Sequence, residues 1–486
     1  MAPRFQLESF NTGPIASARA IGLWLCLIWT AGCAPIPASQ PFDREGSQIQ
    51  IQQRDLAAAS IRAAFERGGL PYPGTHGRWS LDALTVAAWQ LRPELARMRA
   101  LAVAANADVE AAGRRPNPGW SLTPEWISHA ATGTSPWVTA LLLSQLFEPP
   151  ALRQARVDKA QTQADLVWQQ QSQVAWEIRQ QLATAALEWQ LEQLAVAQTS
   201  RTLALQQQLQ AAIESAQQFG ALPLRERLAA QEQGAQARIA HEAALQRARE
   251  AQAQLAAAIG VEVSLVAGLS LDLPDVEALA GQPALDESAL RRAAAIDRID
   301  IASALADYAS ADSLWREQLS RRQPGLTLSP GYSYDSGQRR WVLGIGGELP
   351  INDDYGPAIA AAAARRDAAG HQVEALQAQA RAALSLAMQQ LQEGRRALQQ
   401  ANALVQIQQQ QVDSQQARAQ AGAINRRELL QAQLQALQAG QRRIDVLREL
   451  VRAVGALEAA VQKPLWPASA LARAPELATE EPESRR

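Results

Sequence analysis

The sequence predicts a mainly helical chain with a minor, membrane-type β component, built from two copies of one unit that pairs a β-hairpin with a very long helical hairpin. Three observations predict this: two long proline-free stretches rich in Ala, Gln, Leu, Glu and Arg, short segments of alternating apolar and polar residues ahead of each, and an internal repeat at an offset of about 205 residues. Composition agrees, because most of the apolar content of the 486 residues is Ala and Leu while aromatics make up 5%, the mixture of long helices packed side by side. A net charge of −2 supplies no basic field for collecting phosphates, so nucleic acid is excluded as a partner.

The first element is an export signal. Arg4 and Arg19 precede an apolar run from Ala20 to Trp29, too short to span a bilayer, and Thr30-Ala31-Gly32-Cys33 follows. Residues 1–32 are therefore expected to be a cleaved signal peptide. Small residues before a cysteine resemble a bacterial lipobox, although Thr30 stands where that motif usually has Leu, and Cys33 is the expected lipidation site. Ala34 after it resembles lipoproteins sorted to the outer membrane. Cys26 and Cys33 are the only cysteines, so nothing beyond them can form a disulfide or a thiolate metal site. A segment over 33–80 leads into the first repeat, 81–260. A linker over 261–285, the second repeat over 286–463 and a tail over 464–486 complete the chain.

The repeat rests on matches in the same order. Arg92-Pro93-Glu94-Leu95 aligns with Arg298-Ile299-Asp300-Ile301, and Pro118-Gly119-Trp120-Ser121-Leu122-Thr123-Pro124 with Pro324-Gly325-Leu326-Thr327-Leu328-Ser329-Pro330. Trp137-Val138 answers Trp341-Val342, and Gly220-Ala221-Leu222 with Glu226 and Leu228 answers Gly422-Ala423-Ile424 with Glu428 and Leu430. The offset drifts only from about 206 to about 202, so few insertions separate the copies.

The strands come next. Trp120, Leu122 and Trp126 alternate with Ser121, Thr123 and Glu125, and Leu326, Leu328, Tyr332 and Tyr334 alternate with Thr327, Ser329, Gly331, Ser333 and Asp335. Asp335-Ser336-Gly337 supplies turn chemistry before a return strand through Trp341, Leu343 and Ile345. The strand from Trp137 to Phe147 alternates poorly, because Leu141, Leu142 and Leu143 are consecutive. Strands of roughly ten residues with one apolar face and aromatics near the ends suit an outer-membrane barrel. Four strands cannot close one, since about eight are the minimum and an open edge in lipid leaves backbone groups unpaired. The subunit must oligomerise, and three copies would supply twelve strands.

The helices are expected from Ala151 to Gln218 and from Ala358 to Ala421, each ending at a Gly and followed by a second helix to about Ile259 or Val461. Leu166, Val174 and Ile178, eight and four residues apart with Trp168 beside them, mark the narrow face of a coiled-coil-like sheet. With the chain exported and its strands in the outer membrane, these helices project into the periplasm.

On these residues, together with Pro116-Asn117-Pro118 and Gln145-Leu146-Phe147-Glu148, the chain resembles the TolC family of outer-membrane efflux proteins from about Leu84 to Val461, and within it the CzcC-like heavy-metal branch. The resemblance implies a homotrimer sharing one twelve-stranded barrel continued by a helical periplasmic tunnel, with 33–80 and 261–285 as equatorial segments. It also implies a periplasmic adaptor (membrane fusion protein), an inner-membrane RND pump and conduction without catalysis. In such proteins the hairpin tips meet the adaptor, which maps to Phe219, Gly220, Ala221 and Leu222 and to Gly422, Ala423 and Ile424. An acidic ring at the periplasmic entrance maps to Glu428, with Glu226 as its first-copy equivalent, and Arg225, Arg227, Arg426 and Arg427 lie beside these carboxylates.

His76, His129, His241 and His371 belong to no metal-binding spacing, no P-loop, nucleophile elbow or dinucleotide fingerprint is present, and Asp353-Asp354 reads as a turn. No metal, cofactor or enzymatic activity is expected. Two rival readings remain at the level of sequence: a type I secretion or multidrug export channel of the same fold, and a periplasmic coiled-coil adaptor, which would carry one helical hairpin and a lipoyl-like module.

Overall fold

The computed structural model describes residues 38–74, 77–129, 132–218, 222–273, 286–348 and 351–465. These fall into two compact units that meet at Gln53 and Arg54. The first holds helix α1 (Arg44–Gln52), whose N-cap Asp43 accepts a hydrogen bond from the Gly46 amide at 2.9 Å. All that follows concerns the second unit.

Its elements run in a repeated order. After α2 (Ala59–Arg67) and β1 (Arg78–Ser80), the first copy comprises α3 (Leu81–Leu91), α4 (Pro93–Gly113), β2 (Gly119–Trp126), β3 (Trp137–Phe147), α5 (Pro150–Gln218) and α6 (Leu224–Ile259). Then α7 (Val263–Ala267) and β4 (Ser270–Asp272) lead to the second copy: α8 (Glu287–Ala295), α9 (Ile299–Ser320), β5 (Leu326–Asp335), β6 (Gln338–Gly346), α10 (Gly356–Gln420) and α11 (Arg426–Val461). The expected duplication is therefore present element by element. Helices α6 and α11 both have 36 residues, whereas α5 has 69 and α10 has 65.

Each long helix extends about 100 Å at 1.5 Å per residue. Few of its side chains are buried, and many of those are alanines, because small residues let helices approach closely over a narrow seam. Within a copy the long helix packs on both shorter ones, α5 on α4 and α6, α10 on α9 and α11. Between copies α5 also packs on α9 and α11.

Among the described residues three apolar clusters hold this arrangement. One joins α2, β1, α3, α5 and α6 around Trp79, Phe65, Ile61 and Leu84, with Phe65, Tyr72 and Trp79 in mutual edge-to-face contact at 5.5 to 6.2 Å. A second joins Leu187 and Leu191 of α5 to α8, α10 and α11 through Leu384, Leu447 and Leu450. A third lies toward the hairpin tips, where Leu209, Ile213, Ala230, Leu430 and Leu434 gather with Leu205 and Leu222 packed against them.

The duplication extends to single side chains. Arg92, between α3 and α4, forms a forked ion pair with Glu94 at 2.8 and 3.1 Å and donates through Nη1 to the carbonyls of Ala257 and Ala258 at 3.2 and 3.3 Å. Arg298 does the same in the second copy, to Asp300 at 2.6 and 2.9 Å and to the Ala460 carbonyl at 2.6 Å. Each arginine thus ties the C-terminal end of a shorter helix to the first turn of its neighbour and satisfies carbonyls left free there. Just beyond, Gly260 and Gln462 both take the left-handed conformation, with φ of 91° and 50°. Gly260 does so without penalty, and Gln462 is held by its side-chain oxygen, which accepts from the Asp300 amide at 3.1 Å.

Candidate functional site

Strands β1 and β4 pair in parallel, and the other four form one antiparallel sheet in the order β2-β3-β5-β6. Its register decides what each face can meet. Trp120, Leu122 and Trp126 of β2 lie beside Leu143, Leu141 and Trp137 of β3, and these continue into Tyr332, Tyr334, Leu328 and Leu326 of β5 and then Trp341, Leu343 and Ile345 of β6. One face is therefore predominantly apolar, interrupted by Thr139, Gln145 and, at one end, Arg339. It is also open, with Trp341 86% and Ile345 68% exposed. The opposite face carries most of the polar residues, Ser121, Thr123, Glu125, Ser144, Thr327, Ser329, Ser333, Asp335 and Arg340, together with Val138, Leu142, Leu146 and Val342.

The consecutive leucines of β3 fit this scheme after all. Leu141 and Leu143 join the apolar face, while Leu142 points to the polar one directly opposite Gly331. A Cβ at Gly331 would come within 2.8 Å of the Leu141 carbonyl and 3.0 Å of the Leu142 side chain, so the glycine makes room for Leu142. At the end of the sheet remote from the helices, Trp126 stacks edge-on against Trp137 at 4.8 Å, and the repeat-equivalent pair Tyr332 and Trp341 does so at 5.3 Å. Aromatics at the border of an apolar band match side chains that are apolar in body and polar at the tip.

The sheet has two open edges, since β2 and β6 are each paired on one side only. No helix among the described residues is long and apolar enough to cross a membrane. Among the described residues, the sheet presents the broad exposed apolar face.

At the other end lie the helical tips. The α10–α11 turn is a glycine-closed helix terminus: Gly422 has φ of 71°, its amide donates to the Ala419 carbonyl at 3.0 Å and the Ala423 amide reaches back to Arg418 at 2.9 Å. Asn425 caps α11 reciprocally with Glu428, accepting from the Glu428 amide at 3.0 Å and donating to its carboxylate at 2.8 Å. The Glu428 carboxylate is exposed and holds this structural bond as well as its charge. Arg427 crosses to the other hairpin and pairs with Glu226 at 2.8 Å, both groups about one-third exposed. The structure thus brings Glu226 and Arg427 together and leaves Arg225 and Arg426 exposed. Leu222 packs against the third apolar cluster, and Ala423 and Ile424 lie in the second turn. Phe219, Gly220, Ala221 and Cys33 lie outside the described residues.

Between tips and sheet the copies are joined by charged groups that sequence reading missed. Arg448 of α11 binds Glu188 at 3.1 Å and Glu192 at 2.6 Å, and Glu192 also accepts from Arg247 of α6 at 3.2 Å. Farther from the tips, Arg179 and Glu458 form an ion pair at 3.3 Å with both side chains almost fully buried, and the Arg179 guanidinium stands 5.3 Å from the Trp176 ring. Their sequence separations of more than 200 residues left no local signal to find them by. Asp353 and Asp354 cap the turn before α10 through the Tyr355 and Gly356 amides, as expected. Among the described residues no group of three or more His, Cys, Asp or Glu is arranged to hold a metal.

Solved structures share this architecture. The outer membrane protein VceC of Vibrio cholerae superimposes with a TM-score of 0.63 at 18% identity, covering 78% of this chain and 95% of its own. The Campylobacter jejuni CmeC outer membrane channel reaches 0.64 at 12% identity, covering 93% and 99%. The open state of the Neisseria gonorrhoeae MtrE outer membrane channel gives 0.62 at 14% identity over 78% and 88%. The chain has the TolC-type outer-membrane channel fold. No protein-family model and no curated protein matches it by sequence. The channel fold is carried here by patterning: apolar alternation in the sheet, small residues along the helices and the paired arginine clamps.

Proposed function

We propose that this chain is one subunit of a homotrimeric outer-membrane efflux channel. It passively conducts substrates that a periplasmic adaptor and an inner-membrane RND pump deliver to its helical tips. The observation that carries the reading is the sheet: one face apolar and open, the other polar, and both edges unpaired. Such a sheet is stable in lipid only when its edges pair, which three copies achieve as a twelve-stranded barrel with a polar lumen. Cys33 as a lipid anchor and export to the outer membrane belong to the same reading.

Heavy-metal cations are the substrate class we infer, from the heavy-metal-branch resemblance and the carboxylates at the tips. The Arg427 pair offsets the Glu226 charge, so Glu428 is the tip carboxylate left to attract cations. Glu428→Gln separates its two roles, because the amide oxygen still accepts from Asn425 while the charge is lost. Purified trimers in planar bilayers should conduct, and Glu428→Gln should lower cation preference; unchanged selectivity would remove Glu428 from the entrance. A deletion strain should become sensitive to transition-metal salts. Sensitivity confined to organic toxins, or loss of a secreted protein, would instead favour multidrug export or type I secretion.

A further inference from the structure

We propose that the cavity between α8 and α10 is a binding site for a doubly charged oxyanion of the phosphate type, held by Arg291, Arg292 and Arg381. The cavity has a volume of about 710 Å³, and Leu384 and Met388 of α10 give it an apolar floor. Its walls are cationic. Three guanidinium groups line it against one carboxylate, Glu287, and that carboxylate is engaged by Arg291 one turn along α8 at 3.0 Å. Arg292 and Arg381 neither donate a side-chain hydrogen bond nor form an ion pair among the described residues. Two cations sharing one cavity repel each other. A dianion between them removes that repulsion and accepts paired N–H bonds from each planar fork.

The first repeat solves the same place differently. Helices α3 and α8 align without a gap from the N-caps Ser80 and Asp286 to the clamp residues Arg92 and Arg298, at a constant offset of 206. Over that span Leu81, Thr85, Val86 and Trp89 correspond to Glu287, Arg291, Arg292 and Ala295. All four first-copy residues are buried, and the Trp89 indole N–H donates to the Ala175 carbonyl at 2.9 Å, closing α3 onto α5. In the second copy Ala295 stands in place of the indole, and arginines replace Thr85 and Val86. Counted back from the glycine turns, at an offset of 202, Arg381 corresponds to Arg179. Arg179 is buried against Glu458, whose own counterpart in the repeat is Ala256. The duplication therefore supplies no carboxylate for Arg381.

Arg381 stands 25 residues into α10, about 38 Å along the helix from its sheet end. Lipid headgroups beside the sheet are out of its reach, so the anion comes from the aqueous phase, and free phosphate is the simplest member of the class. Once bound, it ties α8 to α10 as Trp89 ties α3 to α5. The site is formed within one chain and takes an anion, so it is independent of the cation-conducting reading above.

Calorimetric titration and thermal unfolding of the full-length protein in detergent test this. Sodium phosphate at about pH 8, where phosphate carries two charges, is compared with sodium chloride at the same low ionic strength, where exposed guanidinium groups are least screened. Phosphate should bind saturably and raise the thermal midpoint, and chloride should do neither. Arg292→Gln combined with Arg381→Gln should weaken phosphate binding by about tenfold or more and abolish the shift. Without phosphate this double variant should be at least as stable as the native chain, because a like-charge repulsion is relieved. Arg238→Gln combined with Arg249→Gln removes equal charge from exposed positions of α6 and should leave binding and shift unchanged. Ala295→Trp keeps every arginine and should block binding by filling the cavity as the first copy does. No saturable binding to the native chain, an equal shift with chloride, or binding that survives both the arginine pair of substitutions and Ala295→Trp overturns the site and leaves the channel reading standing.

Discussion

Glu94 is one of the residues that give the repeats a pH dependence. The hydrogen bonds from Arg92 hold its carboxyl below the ordinary glutamate range, against the smaller opposing effect of partial burial. A depressed folded-state value stabilises the fold fully above the unfolded pKa of about 4.3, and that contribution is lost as the pH falls through the lower folded value. Thermal midpoints recorded from pH 7 to pH 3 should therefore drop more steeply for the native chain than for Glu94→Gln. Parallel curves would show that the pair contributes nothing. Next to it, Gly260→Ala places a Cβ in a left-handed residue 3.4 Å from the Arg92 side chain. It should cost about 1–2 kcal/mol in unfolding free energy. The buried Arg179–Glu458 pair behaves differently, because removing one partner strands the other charge. Arg179→Ala should destabilise by about 3–5 kcal/mol, while replacing both residues with Met should recover most of the loss.

At the scale of elements, what could be read from sequence follows from which determinants are local. The β5 strand was legible because its apolar residues alternate with Gly, Ser and Thr, and the long helices because no proline interrupts them. The β3 strand resisted reading, since the reason Leu142 is tolerated lies in Gly331 of another strand. Arg92 and Arg298 were visible as matching letters of a repeat. What they bind was not, because their acceptors are carbonyls about 160 residues away. The same holds at the tips: the glycine turns were expected, whereas the Asn425–Glu428 cap gives Glu428 a structural duty beside its charge. Asn425→Ala should accordingly loosen the first turn of α11 by about 1 kcal/mol, seen as faster amide hydrogen exchange there and unchanged exchange in the sheet.

For the whole molecule, the open edges of β2 and β6 make the oligomer a condition of residence in lipid. Circular dichroism of detergent-extracted protein should show β structure beside the dominant helix, and native mass spectrometry should give three chains. A monomer without β signal would dispose of the channel reading. Conductance should then be a property of the trimer alone.

The arginine clamps described above also set the mechanics of the tips. Each clamp fixes the far end of a 36-residue helix, α6 or α11. Such a helix is a lever about 54 Å long. A tilt of roughly 5° about the clamp would carry its tip sideways by about 5 Å, the width of a side chain. Ion pairs nearer the tip, such as Arg427 with Glu226, therefore act on a long arm. In the channel proposed above, a small change in their balance would become a large change in aperture, with the fulcrum itself left unmoved.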